Sequence, residues 1–183
     1  MTNGVVVWVT GLPSSGKSLF AERLRAALSE RGTPGCLLDG DEVRKALAPE
    51  PGYEPAARAD FYETLSRLAS LLARQGLVVV VAATANLRSF RERARALAPA
   101  YFEVFVATSL ADCEKRDTKG LYAAARAGRR RDVPGIDAPF EPPLAPDVTA
   151  TGGTDAAALG AVLQKLVRST GTGGLAEPPD GTP

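Results

Sequence analysis

Gly11-Leu12-Pro13-Ser14-Ser15-Gly16-Lys17-Ser18 decides how the rest of this chain is read. It fits G-x-x-x-x-G-K-[ST], a loop that cradles phosphates. Glycines let the backbone curl so that several N–H groups converge on one anion. The helix expected from Lys17 aims its positive end at the same point. Lys17 is expected to reach the β- and γ-phosphates of a bound nucleotide, and the Ser18 hydroxyl to ligate Mg²⁺. Gly11, Pro13, Ser14, Ser15 and Gly16 supply the cradle. The flanks agree with this: Val5-Val6-Val7-Trp8-Val9 is a buried-strand run, and Leu19 to Leu24 has helical spacing. A plain glycine-rich turn would have no use for Lys17, so the chain reads as a binder of a nucleoside triphosphate.

Working outward, strand and helix alternate. The first helix stops at Gly32, with Pro34 beyond it. Cys36-Leu37-Leu38 is a short apolar strand ending in Asp39-Gly40-Asp41, and a short helix follows over about Glu42 to Leu47. A proline-rich loop over Ala48 to Pro55 leads into a long helix from about Ala56 to Gln75. Leu77 to Ala83 is apolar on both faces, the mark of a central parallel strand covered by helices on either side. A helix over Ser89 to Leu97, a strand over Phe102 to Ala107 and a short helix over Leu110 to Arg116 come next. Asp147 to Ala150 reads as a last strand, and Asp155 as the cap of a final helix over Ala156 to Val167. From Ser169 onward, Gly, Thr, Pro and acidic residues predict disorder. The pattern predicts an open, mostly parallel α/β sheet. Its ligand site lies past the carboxyl ends of the strands, where residues 11–18, Asp39-Gly40-Asp41 and Ala83 to Arg88 meet.

Composition narrows the function. The 183 residues carry a formal charge of +1, so no global field draws the chain to nucleic acid or to an anionic membrane. Histidine is absent, which removes imidazole acid–base chemistry and His-ligated metals. There is no leader-like segment and no long apolar span, and the two cysteines, Cys36 and Cys113, sit in apolar surroundings. The expectation is a cytoplasmic protein with buried, inert thiols.

Asp39 and Asp41 are carboxylates at a strand end beside the expected triphosphate. One of them would help hold Mg²⁺ through water, and would accept the proton of an attacking hydroxyl. Asp39 is the better candidate for the metal. The alternative for Asp41 is a helix N-cap. Arg44, one turn further on, either grips a phosphate or sulfate of a second substrate or is a solvated helix arginine. The segment Arg116-Asp117-Thr118-Lys119-Gly120-Leu121-Tyr122, continuing to Arg126, Arg129, Arg130 and Arg131, reads as a mobile basic lid that excludes water from a phosphoryl group, the alternative being a solvated basic face.

Five stretches together resemble the adenylylsulfate kinase (APS kinase) family: GLPSSGKS, LDGDEVR at 38–44, GLVVVVA at 76–82, CEKRDTKGLYAAARAG at 113–128 and GIDAPFEPP at 135–143. The resemblance implies a P-loop kinase fold with a parallel five-stranded core over residues 1–168, a lid around 117–135 and an often dimeric assembly. It implies phosphorylation of the 3′-hydroxyl of adenosine 5′-phosphosulfate by Mg-ATP. Asp39 would then serve metal and base chemistry. Arg44 and Arg58 would touch the nucleotide substrate, Lys119 would lie beside its phosphosulfate and Arg116 near the ATP base.

The acceptor side departs from the family pattern. Tyr53 still offers a ring to an adenine, but Phe61 stands at an asparagine position and Glu63 and Thr64 at paired arginines. Glu63 is expected to weaken the hold on a dianion. Ala85-Asn86-Leu87-Arg88 replaces S-P-Y-R, which leaves Arg88 as the substrate-side arginine of that stretch. Val133 stands where a phenylalanine would cover the adenine's other face. A kinase of the same build with another nucleotide-linked or phosphorylated alcohol as acceptor is therefore the second reading. A nucleotide-binding regulatory module is the third.

Overall fold

The structure, a computed structural model, describes residues 4–33, 35–117 and 119–169. Five strands form one sheet in the order β2-β3-β1-β4-β5, with every pairing parallel. The strands are β1 (Val5–Thr10), β2 (Gly35–Asp39), β3 (Val78–Ala82), β4 (Tyr101–Val106) and β5 (Val148–Ala150). The helices are α1 (Lys17–Glu30), α2 (Gly40–Ala46), α3 (Pro55–Ala73), α4 (Arg88–Leu97), α5 (Leu110–Lys115), α6 (Leu121–Arg126) and α7 (Ala156–Ser169).

β1 lies at the middle of the sheet, and all six of its residues are buried. Its side chains alternate between two cores, as the pleat requires. Val5, Val7 and Val9 pack with Phe20, Leu24 and Leu28 of α1 and with Val162 and Leu166 of α7. Val6 and Trp8 face the other way, against Phe61, Leu65 and Ala69 of α3 and Ala94 of α4. The uninterrupted valines of β1 and β3 follow from this double cover: a strand buried on both faces has no polar side.

The expected elements are present within a residue or two, with three differences. α2 begins at Gly40 rather than Glu42, because its cap is Asp39. The Asp39 Oδ1 accepts the N–H of Asp41, so Asp41 is not the N-cap. A helix absent from the sequence reading, α6, sits inside the basic lid segment. Asp117 starts it by accepting the N–H groups of Leu121 and Ala123. α7 runs to Ser169, the first residue of the expected tail. Pro34, Thr118 and the rest of that tail, 170–183, lie outside the described residues. Asp155 caps α7 as expected, accepting from the N–H of Ala158.

A third, smaller core lies between α5, α6 and the segment around Val133. Cys113 of α5, Tyr122 of α6 and Val133 are fully buried together, with Leu12 of the phosphate loop and Ile136 packed against them. Both cysteines are free, and burial pushes each thiol's pKa up, which disfavours the reactive thiolate.

Candidate active site

The carboxyl ends of β1, β2 and β3 open onto one cavity of about 1170 Å³. The phosphate loop forms its floor. Gly16 adopts φ 101°, and a Cβ there would stand 2.7 Å from the Gly153 nitrogen, so only glycine fits between the loop and the turn after β5. The loop is braced by two hydroxyls. Thr108, after β4, donates to the Ser15 carbonyl at 2.8 Å, and Tyr122 of α6 donates to the Pro13 carbonyl at 2.8 Å.

Lys17 folds across this loop and donates to the Leu12 carbonyl at 2.7 Å. Burial lowers its pKa to about 8, against the opposing pull of Cys113, Asp41 and Asp39. Next to it, the Ser18 hydroxyl donates to Asp39 Oδ2 at 2.6 Å. The other oxygen of Asp39 caps α2. One carboxylate thus ties the phosphate loop, the end of β2 and the start of α2 together. Asp41 forms an ion pair with Lys119 at 2.5 Å. Burial works to raise the Asp41 pKa, but the hydrogen bond and charge of Lys119, with Lys17 and Arg44, outweigh it and hold the carboxyl below its usual range. Four expected site residues, Ser18, Asp39, Asp41 and Lys119, therefore form a continuous array from the phosphate loop to the stretch before α6.

The acceptor side is built differently from the sequence reading. Arg44 is not a solvated helix arginine. It is 4% exposed and donates to the carbonyls of Pro51 and Gly52. Its guanidinium lies 3.8 Å from the Phe61 ring centre and 4.4 Å from that of Tyr53. Phe61, at the asparagine position, is thus the surface on which Arg44 rests. Arg58 is also buried, and donates to the Asp132 carbonyl at 2.6 Å and to Asn86 Oδ1 at 3.4 Å. It links α3 to the segment before Val133. Both arginines still border the cavity, as do Tyr53, Val133 and Arg116.

Two residues of the acceptor-side stretches lie outside the cavity wall. Arg88 does not border the cavity. It starts α4, where its N–H donates to Glu141. Glu63 does not border it either. Its carboxylate is taken by Arg67 and Arg93, and those hydrogen bonds lower its pKa to about 2. Its charge is paired with those two arginines and joins α3 to α4.

The sequence reading missed the 151–154 turn after β5, which borders the cavity against Gly16 and Leu19. It carries no charge or aromatic ring, and only its closeness to the loop reveals it. Thr108 was missed for the same reason. Tyr122 was noted only as part of a basic run.

Oxygen donors beside a phosphate cradle suit Mg²⁺, which keeps several waters and needs few protein ligands. Among the described residues there is no cluster of three or more His, Cys, Asp or Glu able to hold a metal alone. Ser18 and Asp39 are the residues that would share such an ion with bound phosphates.

A parallel sheet with a phosphate loop after its central strand, an acidic pair after β2 and basic residues of the 116–130 stretch bordering the cavity defines a P-loop kinase. The sequence matches the adenylylsulphate kinase family over residues 3–151, and the chain belongs to that family. Its members are ATP-dependent phosphotransferases that act on a hydroxyl. The chain is 43% identical over 145 residues to the adenylyl-sulfate kinase of Gloeothece citriformis, covering 79% of this chain and 82% of that one. It is 42% identical over 169 residues to the bifunctional enzyme NodQ of Azospirillum brasilense, covering 91% of this chain but only 27% of that longer protein. The Mycobacterium tuberculosis APS kinase CysC in complex with AMPPNP and APS superimposes with a TM-score of 0.82 at 39% identity. That match covers 92% of this chain and 99% of the other.

Proposed function

We propose that the chain transfers the γ-phosphoryl group of ATP to the 3′-hydroxyl of adenosine 5′-phosphosulfate, giving 3′-phosphoadenylylsulfate and ADP. The observation that carries the proposal is the Ser18–Asp39–Asp41–Lys119 array, which joins the phosphate loop to the acceptor side and the lid. Family membership and a fold match to a kinase complexed with an ATP analogue and APS support the choice of substrates.

In this reading Gly11 to Ser18 bind the triphosphate and Lys17 neutralises its β- and γ-oxygens. Ser18 and Asp39 would hold Mg²⁺, which when bound would supply further charge neutralisation. Asp39 accepts the proton of the attacking 3′-hydroxyl. Asp41, kept ionised by Lys119, orients that hydroxyl. Lys119 then meets the phosphosulfate, and Arg116 lies by the ATP base. Tyr53 stacks on the acceptor adenine, with Val133 at the edge of the same subsite. Arg44 and Arg58 act by holding Tyr53 and the 130–133 segment in place. Residues 117–135 close as a lid, which keeps water from competing with the acceptor. The kinase unit is residues 1–168. The reading extends to a cytoplasmic location and to a homodimer, which light scattering checks.

The test is ADP release from Mg-ATP with and without adenylylsulfate, with products analysed by mass. Release that depends on adenylylsulfate, with a product heavier by one phosphate, is expected. ATP binding without any stimulation by adenylylsulfate would overturn the choice of acceptor.

A further inference from the structure

We infer that Arg130 is a specificity-determining residue of the acceptor subsite, forming the second face of a base sandwich whose first face is Tyr53. The inference rests on the proposed acceptor being a purine nucleotide. Of the rings that border the cavity, Phe61 and Tyr62 are buried at 2% and 6% exposure, and Tyr53 is 40% exposed. Tyr53 is therefore the ring a base can reach. A planar base binds best with both faces covered, and Val133 offers no plane. Its side chain is 1% exposed and committed to the cluster with Cys113 and Tyr122.

Arg130 supplies the plane. Its guanidinium lies over the Tyr53 ring, 4.9 Å from the centre, and it borders the same cavity. The two guanidiniums at Tyr53 are held very differently. Arg44 is fixed by Phe61 and two backbone carbonyls. Arg130 is exposed, and its guanidinium has no hydrogen-bond or ion-pair partner among the described residues. It can lift from Tyr53 and settle on the outer face of an entering base, losing one cation–π contact and gaining another.

Its main chain, by contrast, is well placed. Two residues on, Asp132 takes a left-handed φ of 61°, its carbonyl is gripped by Arg58, and the Asp137 carboxylate accepts the N–H groups of Asp132 and Val133. A pinned backbone with an untied planar cation at its end is what a stacking clamp needs. Arginine suits this better than lysine, whose ammonium has no face.

The experiment titrates adenylylsulfate into protein saturated with Mg-ADP, by calorimetry. Wild type, Arg130→Ala, Arg130→Lys and Arg130→Phe are compared, with thermal melts to check folding. Arg130→Ala is expected to weaken Kd about tenfold. Arg130→Lys is expected to behave like Arg130→Ala, and Arg130→Phe to retain most of the affinity. Wild-type affinity in Arg130→Ala, or full affinity in Arg130→Lys with loss in Arg130→Phe, would overturn the stacking role. It would leave the proposed acceptor standing. Failure of the wild type to bind adenylylsulfate would overturn the acceptor itself, and the clamp with it.

Discussion

The Ser18 hydroxyl and Asp39 Oδ2 are 2.6 Å apart although 21 residues separate them in sequence. The contact brings a hydroxyl of the phosphate loop and the carboxylate at the end of β2 within one hydrogen bond. Asp39→Asn should therefore lower turnover by about two to four orders of magnitude through loss of the base. ATP affinity should change much less. Asparagine caps helices as well as aspartate does, so α2 and the thermal melt should be nearly unaffected. Steady-state kinetics beside a melting curve checks this, and near-normal turnover would remove Asp39 from the mechanism.

Lys17 is the cation inside the loop. Lys17→Ala should weaken ATP binding by roughly a hundredfold, the value of charge-assisted hydrogen bonds lost at a buried site. Equilibrium titration with ATP reads this directly. Binding as tight as wild type would mean that the backbone cradle alone holds the nucleotide.

Tyr122 ties α6 to the loop through the Pro13 carbonyl. Burial raises the phenol's pKa, so it stays protonated and donates at every working pH. Tyr122→Phe should raise the KM for ATP a fewfold, about the value of one neutral hydrogen bond. The KM for the acceptor should move less. An unchanged KM for ATP would show that the loop keeps its shape without this brace.

Arg91 forms the most buried ion pair among the described residues. Its guanidinium pairs with Glu103 at 2.7 Å and also donates to the carbonyls of Ala85 and Glu141, with 3% of the Arg91 side chain exposed. Arg91→Met leaves the Glu103 carboxylate buried with only the more distant Arg95. It should cost about 3–5 kcal/mol in urea unfolding, since breaking one half of a buried pair strands the other. A loss under about 1 kcal/mol would show that Arg95 replaces it.

Glu63 joins α3 to α4 through Arg93, with Arg67 as its second partner. Its pKa is lowered to about 2 in the folded chain, so the stabilisation is present above the unfolded value of about 4.3 and is lost as pH falls through 2. Glu63→Gln should melt below wild type at pH 7, and the two should converge as pH approaches 2. A difference that persists at pH 2 would point to packing rather than charge.

The phosphate loop and the central strands were legible because each rests on a local pattern. The loop has fixed glycine and lysine spacing, and β1 and β3 are apolar on both faces. Asp39 was legible because it ends a strand beside that loop. Arg44 was not. Its position on α2 gives its face, but nothing local says that Phe61, 17 residues on, would lie beneath it. Glu63 was read as an opponent of the substrate because alignment places it at the family's arginines, while its neighbour Arg93 comes from another helix. α6 escaped because its start depends on the Asp117 side chain rather than on apolar spacing. These are tertiary facts, fixed by which elements meet.

The alternation of β1 between two cores bears on how this chain can vary. Val5, Val7 and Val9 belong to one layer and Val6 and Trp8 to the other. Gly11 follows Thr10 at the strand's end with no slack between them. Exchanges among β-branched residues keep each side chain in its layer and should be tolerated there. A single inserted or deleted codon is another matter. It would swap the layers, drive Trp8 toward α1 and α7, and rotate the whole loop away from Asp39. In lineages descended from such a chain, this strand should drift in composition while keeping its length, and length changes should collect instead in exposed connections such as the stretch around Leu144.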